Sequence, residues 1–363
     1  MNKNDFCVIM AGGLGTRFWP MSKTAHPKQF IDILGTGRSL IQQTYDRFVK
    51  IVPRENIFIV TNSSYKSLVE TQLPELSQNQ IVLEPSRRNT APCIAYAAYK
   101  IAGINKDANM VVAPSDHIIL KEEEFVKTIK NALEISRSSD WLLTLGIKPN
   151  RPDTGYGYIQ YNEQIIDKKY SSLRKVKTFT EKPNLEIARS FLKSGDFLWN
   201  SGIFIWSLKA IIKAFGQHLP EINELFAPKG KIYNTAKETA FIEKTYTVCR
   251  SISIDYGVME KAENVHVLIS DFGWSDLGTW GSLYENMNKN TDGNAIVGKH
   301  AMVYDSKNCI INLPKDKLAV IHGLDNYIVV DTEKILLICK KTDEQQIRKF
   351  VNDVKIEKGD QFV

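Results

Sequence analysis

Between Phe6 and Ile147, apolar runs of strand length alternate with segments of helical period, and nothing else restricts the fold as strongly. The runs are FCVIM (6–10), IFIV (57–60), IVLE (81–84), MVVAP (110–114) and WLLTLGI (141–147). Near-continuous apolar strands are the kind buried on both faces. Between them, SLIQQTYDRFVKIV places Leu40, Ile41, Tyr45, Phe48 and Val49 on one helical face, with Ser39 as its N-cap. TAPCIAYAAYKIAG ends a helix at Gly103, and EEEFVKTIKNALEIS opens one with three glutamates at the positive end of its dipole. The alternation predicts an α/β fold, a Rossmann-like, mostly parallel mixed sheet flanked by helices.

From Arg151 to Asn288 the pattern is less regular. Strand candidates YGYIQY, KVKTFTE, GIFIWS and VHVLIS mix with helices near 184–194, 207–216 and 235–246. No linker sets this stretch apart, so it is expected to complete the same sheet and cover one edge. Composition shifts at YENMNKNTDGNAI. Short β-like runs follow (AIVGKHAMVYD, NCIINL, KLAVIHG, NYIVVD, KILLICKK), closed by the amphipathic helix DEQQIRKFVNDV. The expected domains are 1–289 and a small C-terminal β-rich, β-helix-like or β-roll-like domain over 290–363.

Hydrophobic residues make up 43% and charged residues 24% of the chain, ample for a core. The net charge of +6 comes without a block of Lys or Arg, which suits small anionic substrates better than a nucleic-acid track. The five cysteines are scattered, without a C-x-x-C pair, and read as small buried hydrophobes in a reducing compartment. The amino terminus lacks signal-peptide architecture, and no run approaches the roughly 20 apolar residues of a membrane helix. The expectation is a cytoplasmic protein with no nucleic-acid and no membrane partner.

Where the first strand ends, the chain turns through Gly12-Gly13-Leu-Gly15-Thr-Arg17. A P-loop fails, because Arg17 stands five residues after Gly12 and Phe18 five after Gly13. A dinucleotide fingerprint fails too, since Phe18 takes the place of its third glycine. What remains is a turn whose bare amides can approach phosphate, with Arg17 and Lys28 as cations, or a structural turn carrying surface charge.

Asp116, in APSDH, closes a central strand and reads as a Mg²⁺ ligand or as a helix N-cap. Its neighbour His117 reads as structural. Glu181 and Lys182 in FTEKP read as a pair for sugar hydroxyls and phosphate or as a surface ion pair. Asn200 in WNSGIF suits a polyol or a turn, and Asp276 in GWSDLGTW offers a second metal carboxylate if the fold brings it to Asp116.

Taken in order, the segments GGLGTRFWP (12–20), PKQF (27–30), EPSRRNTAP (84–92), PSDH (114–117), GYGYI (155–159), EKP (181–183), WNSGIF and GWSDLGTW resemble the sugar-phosphate nucleotidylyltransferases. They span about residues 8–280, and the tail beyond 290 carries no comparable motif. The resemblance implies transfer of GMP from GTP to α-D-mannose 1-phosphate, with Mg²⁺ as cofactor and pyrophosphate released. It places Ala11, Gly12, Gly13, Gly15, Thr16, Arg17, Lys28, Glu84, Pro85, Asn89, Thr90 and Ser115 on the nucleotide. It places Gly157, Glu181, Lys182 and Asn200 on the sugar phosphate, and Asp116 and Asp276 on the metal. Arg17, Lys28 and Lys182 would be the catalytic cations, Glu84 would read guanine N1–H and its 2-amino group, and Asp255 in SIDYGVME would support the site or the fold.

Another sugar, such as manno-heptose 1-phosphate, and an inactive nucleotide-sugar sensor stay open as alternatives. Longer relatives carry a cupin-like isomerase domain for which a tail of about 70 residues is too short, so isomerase activity is not expected. The tail's β runs suit a unit that packs on the catalytic domain or mediates a homodimer.

Overall fold

A computed structural model describes residues 1–363 except Leu14 and Lys229, and the backbone but not the side chain of Thr16. The chain divides into two compact units. The first comprises Met1–Gly12, Thr44–Ser115 and Ile119–Trp274; the second comprises Gly13–Gln43, Asp116–Ile118 and Ser275–Val363.

The first unit is built on nine strands: β1 Asp5–Met10, β2 Ile57–Asn62, β3 Ile81–Glu84, β4 Asn109–Pro114, β5 Leu142–Ile147, β6 Tyr158–Tyr161, β7 Leu173–Thr180, β8 Phe197–Ser207 and β9 Val265–Ser270. Their order is β3-β2-β1-β4-β8-β5-β9-β7-β6, with β6 also paired to β8. The alternating part supplies parallel pairs: β1 with β2 and β4, and β2 with β3. Each of these strands is apolar along nearly its whole length because helices cover both faces. The Thr90–Ala102 helix is correspondingly apolar nearly all round and buried from Ala91 to Ile101.

The less regular middle completes the sheet as expected, but it does so mostly antiparallel and partly inside it, with β9 alone among its described strands pairing in parallel, on β5. The eleven-residue β8 runs antiparallel between β4 and β5. Its register on β5 shifts between Thr144 and Gly146, where Gly202 takes φ +69°. That bulge bends β8 and re-aims Asn200, which lies beside it. The short Lys66–Gln72 and Pro220–Phe226 helices have no counterpart in the sequence reading.

In the second unit, Ala295–Val297, Ile310–Asn312 and Tyr327–Asp331 stack in parallel, and Leu336–Lys340 closes antiparallel on the last. Ala301–Tyr304 pairs in parallel with Ala319–His322. The run AIVGKHAMVYD is therefore two strands on two sheets, split where Gly298 takes φ +126°, a conformation closed to most side chains. Successive residues of a strand face opposite ways. Cys309, Ile311 and Val329 pack into one core, whereas Ile310, Ile328 and Val330 pack with Phe18, Trp19, Leu277, Trp280 and Ile347. The tail thus builds a common core with the stretch that follows the glycine turn. Trp19 Nε1 donates to the carbonyl of Phe362 at 2.8 Å.

All five cysteines are unpaired, and four are buried. No helix of the described residues is long and apolar enough to cross a membrane.

Candidate active site

The second unit holds a cleft of about 290 Å³ lined by Gly15, Arg17, Lys28, Asp116, Asp276 and Arg348, among others. Lys28 is its pivot. Only 4% exposed, its ammonium lies 2.9 Å from Asp116 Oδ2 and donates to the carbonyls of Asp276 at 2.8 Å and Leu277 at 3.1 Å. One buried cation thereby ties three distant segments together and brings Asp116 and Asp276 into one cleft. Burial works to raise the Asp116 carboxyl, but the Lys28 ammonium and His117 outweigh it and hold the group below its ordinary value. Asp276 Oδ1 accepts from the Gly278 amide at 2.9 Å, and Arg17 Nη1 donates to the Gly278 carbonyl at 3.3 Å.

The three glycines have different reasons to be glycine. Gly15 takes φ +60°, and a Cβ there would lie 2.5 Å from that of Lys28, so packing against the lysine demands it. None of the described residues lies within 4 Å of the Cβ position of Gly13, so that side of the backbone is open to a ligand, while its carbonyl accepts from Gln29 Nε2 at 2.9 Å. A Cβ on Gly12 would reach only ordinary contact, 3.6 Å from Glu84 Oε2, and the Gly12 carbonyl accepts from Arg87 Nε at 3.2 Å. Ala11 is fully buried, its amide bonded to Val60 and its carbonyl to the Thr61 hydroxyl. Ser115 is 2% exposed, with its amide bonded to Met10. The Thr16 side chain lies outside the described part of the structure.

In the first unit, Gly157, Glu181, Lys182, Asn200 and Asp255 come together. Asn200 Nδ2 donates to Asp255 Oδ1 at 2.9 Å, while its carbonyl oxygen accepts from Thr144 Oγ1 at 3.0 Å and the Gly202 amide at 3.2 Å. The amide is thus fixed in orientation from both ends. A Cβ on Gly157 would stand 2.5 Å from Glu181 Oε2, so the bare backbone makes room for that carboxylate. The exposed Lys182 pairs with Glu181 Oε1 and takes φ +47°.

Asp255 lies on a single π turn, Asp255–Met259. Loss of hydration, and then the Glu181 carboxylate beside it, push its carboxyl up to about 7. An unfolded aspartate titrates near ~3.9. Between those values the folded chain keeps a proton that the unfolded chain has released, so stability present below pH ~4 is lost as pH rises through about 7. Asp255→Asn cannot ionise and is expected to melt higher, relative to wild type, at pH 8 than at pH 5. Thermal unfolding at both pH values checks this, and an equal difference at the two would reject it.

Glu84 is 6% exposed. Its Oε1 accepts from the Tyr246 hydroxyl at 2.8 Å, and burial pushes its carboxyl up to about 7. Pro85 and Asn89 lie on the surface, Asn89 at φ +67° capping the Thr90–Ala102 helix. The Thr90 hydroxyl accepts from the Ile254 amide at 2.9 Å, so this segment buttresses the turn that carries Asp255. The sequence reading passed over Thr144, Tyr246, Arg87 and Arg348. Only Arg87, inside EPSRRNTAP, lay within a segment read for chemistry; Thr144, Tyr246 and Arg348 lay within runs read as strand or helix alone.

A mixed α/β sheet together with a cleft of glycine turn, cations and paired carboxylates defines a nucleotidyltransferase-like protein. A family model described as Nucleotidyl transferase matches residues 6–293, and one described as MannoseP isomerase/GMP-like beta-helix domain matches residues 298–354. The mannose-1-phosphate guanylyltransferase of Escherichia coli is 34% identical over 356 residues, covering 96% of this chain and 75% of that protein. The mannose-1-phosphate guanylyltransferase of Salmonella montevideo is 36% identical over 357 residues, covering 96% and 74%. Among solved structures, a Thermus thermophilus protein named a mannose-1-phosphate geranyltransferase matches with a TM-score of 0.85 at 26% identity, over 97% of this chain and 99% of that one. The chain belongs to the nucleotidyl transferase family, among its mannose-1-phosphate guanylyltransferases, and carries the β-helix domain of that group.

Proposed function

We propose that the chain transfers GMP from GTP to α-D-mannose 1-phosphate, giving GDP-mannose and pyrophosphate. The observation that carries this reading is the Lys28 cluster, which gathers Gly15, Arg17, Asp116 and Asp276 into one cleft. The shared activity named for relatives that match 96% of the chain selects the substrates.

A phosphate oxygen of mannose 1-phosphate attacks the α-phosphorus of GTP. The new P–O bond forms as the α–β bridging bond breaks, and pyrophosphate leaves with the electron pair. A phosphomonoester with a second pKa near ~6 is already mostly dianionic at pH 7, so no general base is needed. The task left to the protein is to align two polyanions and neutralise their charge. Arg17 and the open Gly13 backbone face the triphosphate, and Lys28 keeps Asp116 ionised and in place. Pro85 and Asn89 face the nucleoside, with Glu84 beneath the turn reading the base through the oxygen nearest Gly12. Glu181 and Asn200 bind the hexose beside Gly157, and Lys182 swings from Glu181 to the sugar phosphate.

Asp116 and Asp276 suit Mg²⁺, a hard cation that takes one or two carboxylates and completes its shell with phosphate oxygens and water. When bound, the ion offsets the charge of the triphosphate. The domain arrangement we infer is a catalytic domain over 1–289 and a β-helix domain over 290–363.

A panel of GTP, ATP and dTTP against mannose 1-phosphate, glucose 1-phosphate and manno-heptose 1-phosphate, read by pyrophosphate release, tests the proposal. Turnover is expected to be fastest with GTP and mannose 1-phosphate. Faster release with another base or another sugar would overturn that part of the reading.

A further inference from the structure

We propose that Arg348, on the C-terminal helix Ile347–Lys358, is a third cation of the triphosphate cleft and binds the pyrophosphate end of the nucleotide. The assignment rests on the transfer reading above and extends it to a residue of the β-helix domain.

Arg348 lines the cleft together with Arg17, Lys28, Asp116 and Asp276. The other two cations are already engaged: Lys28 by Asp116 and two carbonyls, Arg17 by the Gly278 carbonyl. Arg348 is exposed, and among the described residues no hydrogen bond or ion pair holds it. Glu344, one turn earlier and the nearest acid along the chain, is occupied, accepting from the Gly281 amide at 2.7 Å. The neighbour Ile347 is 1% exposed in the core shared with Phe18, Leu277 and Trp280. The root of the arginine is therefore fixed to the scaffold while its guanidinium is free to meet a ligand.

Charge makes the same point. Arg17 and Lys28 only balance Asp116 and Asp276, so the excess positive charge a polyanion would find among these side chains is that of Arg348. A guanidinium also offers paired donors that match phosphate oxygens two at a time.

The test uses the full chain. Calorimetry with inorganic pyrophosphate and Mg²⁺ measures the anion site directly, and steady-state kinetics separates KM for GTP from KM for mannose 1-phosphate. Arg348→Ala is expected to weaken pyrophosphate binding and raise KM for GTP about tenfold, the worth of one charge-assisted contact at an exposed position. KM for mannose 1-phosphate and the melting temperature should stay put, and Arg348→Lys should recover part of the loss. Arg348→Gln carries the same test if the alanine variant melts early. Unchanged pyrophosphate affinity and unchanged KM for GTP would overturn the assignment. A wild-type chain that binds pyrophosphate through Arg348 but turns over no GTP would leave the assignment standing and sink the transfer reading.

Discussion

Lys28→Met is expected to reduce turnover by about 10²–10³-fold, the usual cost of removing one preorganised charge contact. It should also destabilise the chain by about 3 kcal/mol, the low end for breaking a buried ion pair, since Asp116 keeps 31% of its side chain exposed. Methionine has nearly the length of lysine and fills the slot beside Gly15, so the effect isolates the ammonium. Without it, the Asp116 carboxylate loses its cation, and the carbonyls of Asp276 and Leu277 lose their donor. The segments that Lys28 ties together then have no common anchor. A melting temperature lowered by about 5 °C together with the lost turnover is the expected signature. Wild-type melting and wild-type rate in the variant would refute the pivot.

Asp116→Ala is expected to cost turnover at least as much, about 10³-fold, and to lower the melting temperature less than Lys28→Met does. The difference lies in what each substitution strands. Removing Lys28 leaves a carboxylate and two carbonyls without their partner, whereas removing Asp116 takes the counter-charge from Lys28 but leaves its ammonium solvated by both carbonyls. The loss should therefore fall on the metal-dependent rate and persist at high Mg²⁺. Full turnover at ordinary Mg²⁺ would refute the metal role of Asp116.

Part of this site is visible along the chain, and the reason is local. The turn after β1 and the acid after β4 stand at the ends of buried parallel strands, whose apolar runs announce themselves. Asn200 is marked because a polar residue and a glycine interrupt an apolar stretch. Thr144, which holds Asn200, is not marked, since a threonine inside LLTLG looks like any strand residue. Tyr246 lies 162 positions from Glu84 on a separate helix, and no period in either segment points to the other. The Pro220–Phe226 helix escaped because seven residues are too few to establish a helical period.

The tail shows the same division. Its runs were legible as strands, but not that Gly298 sends one run to two sheets. Nor was it legible that their outward faces close over Phe18 and Trp19, from the stretch that follows the glycine turn. Element types, the parallel half of the sheet and the chemistry present at each strand end follow from the order of residues alone, because periodicity and composition act over a few positions. Folding in three dimensions was needed to bring β8 into the sheet, to make Lys28 a buried tie between Asp116 and Asp276, and to carry Arg348 to the cleft. These are contacts between residues tens to hundreds of positions apart, and they are selected by packing and charge, which leave no periodic trace along the chain.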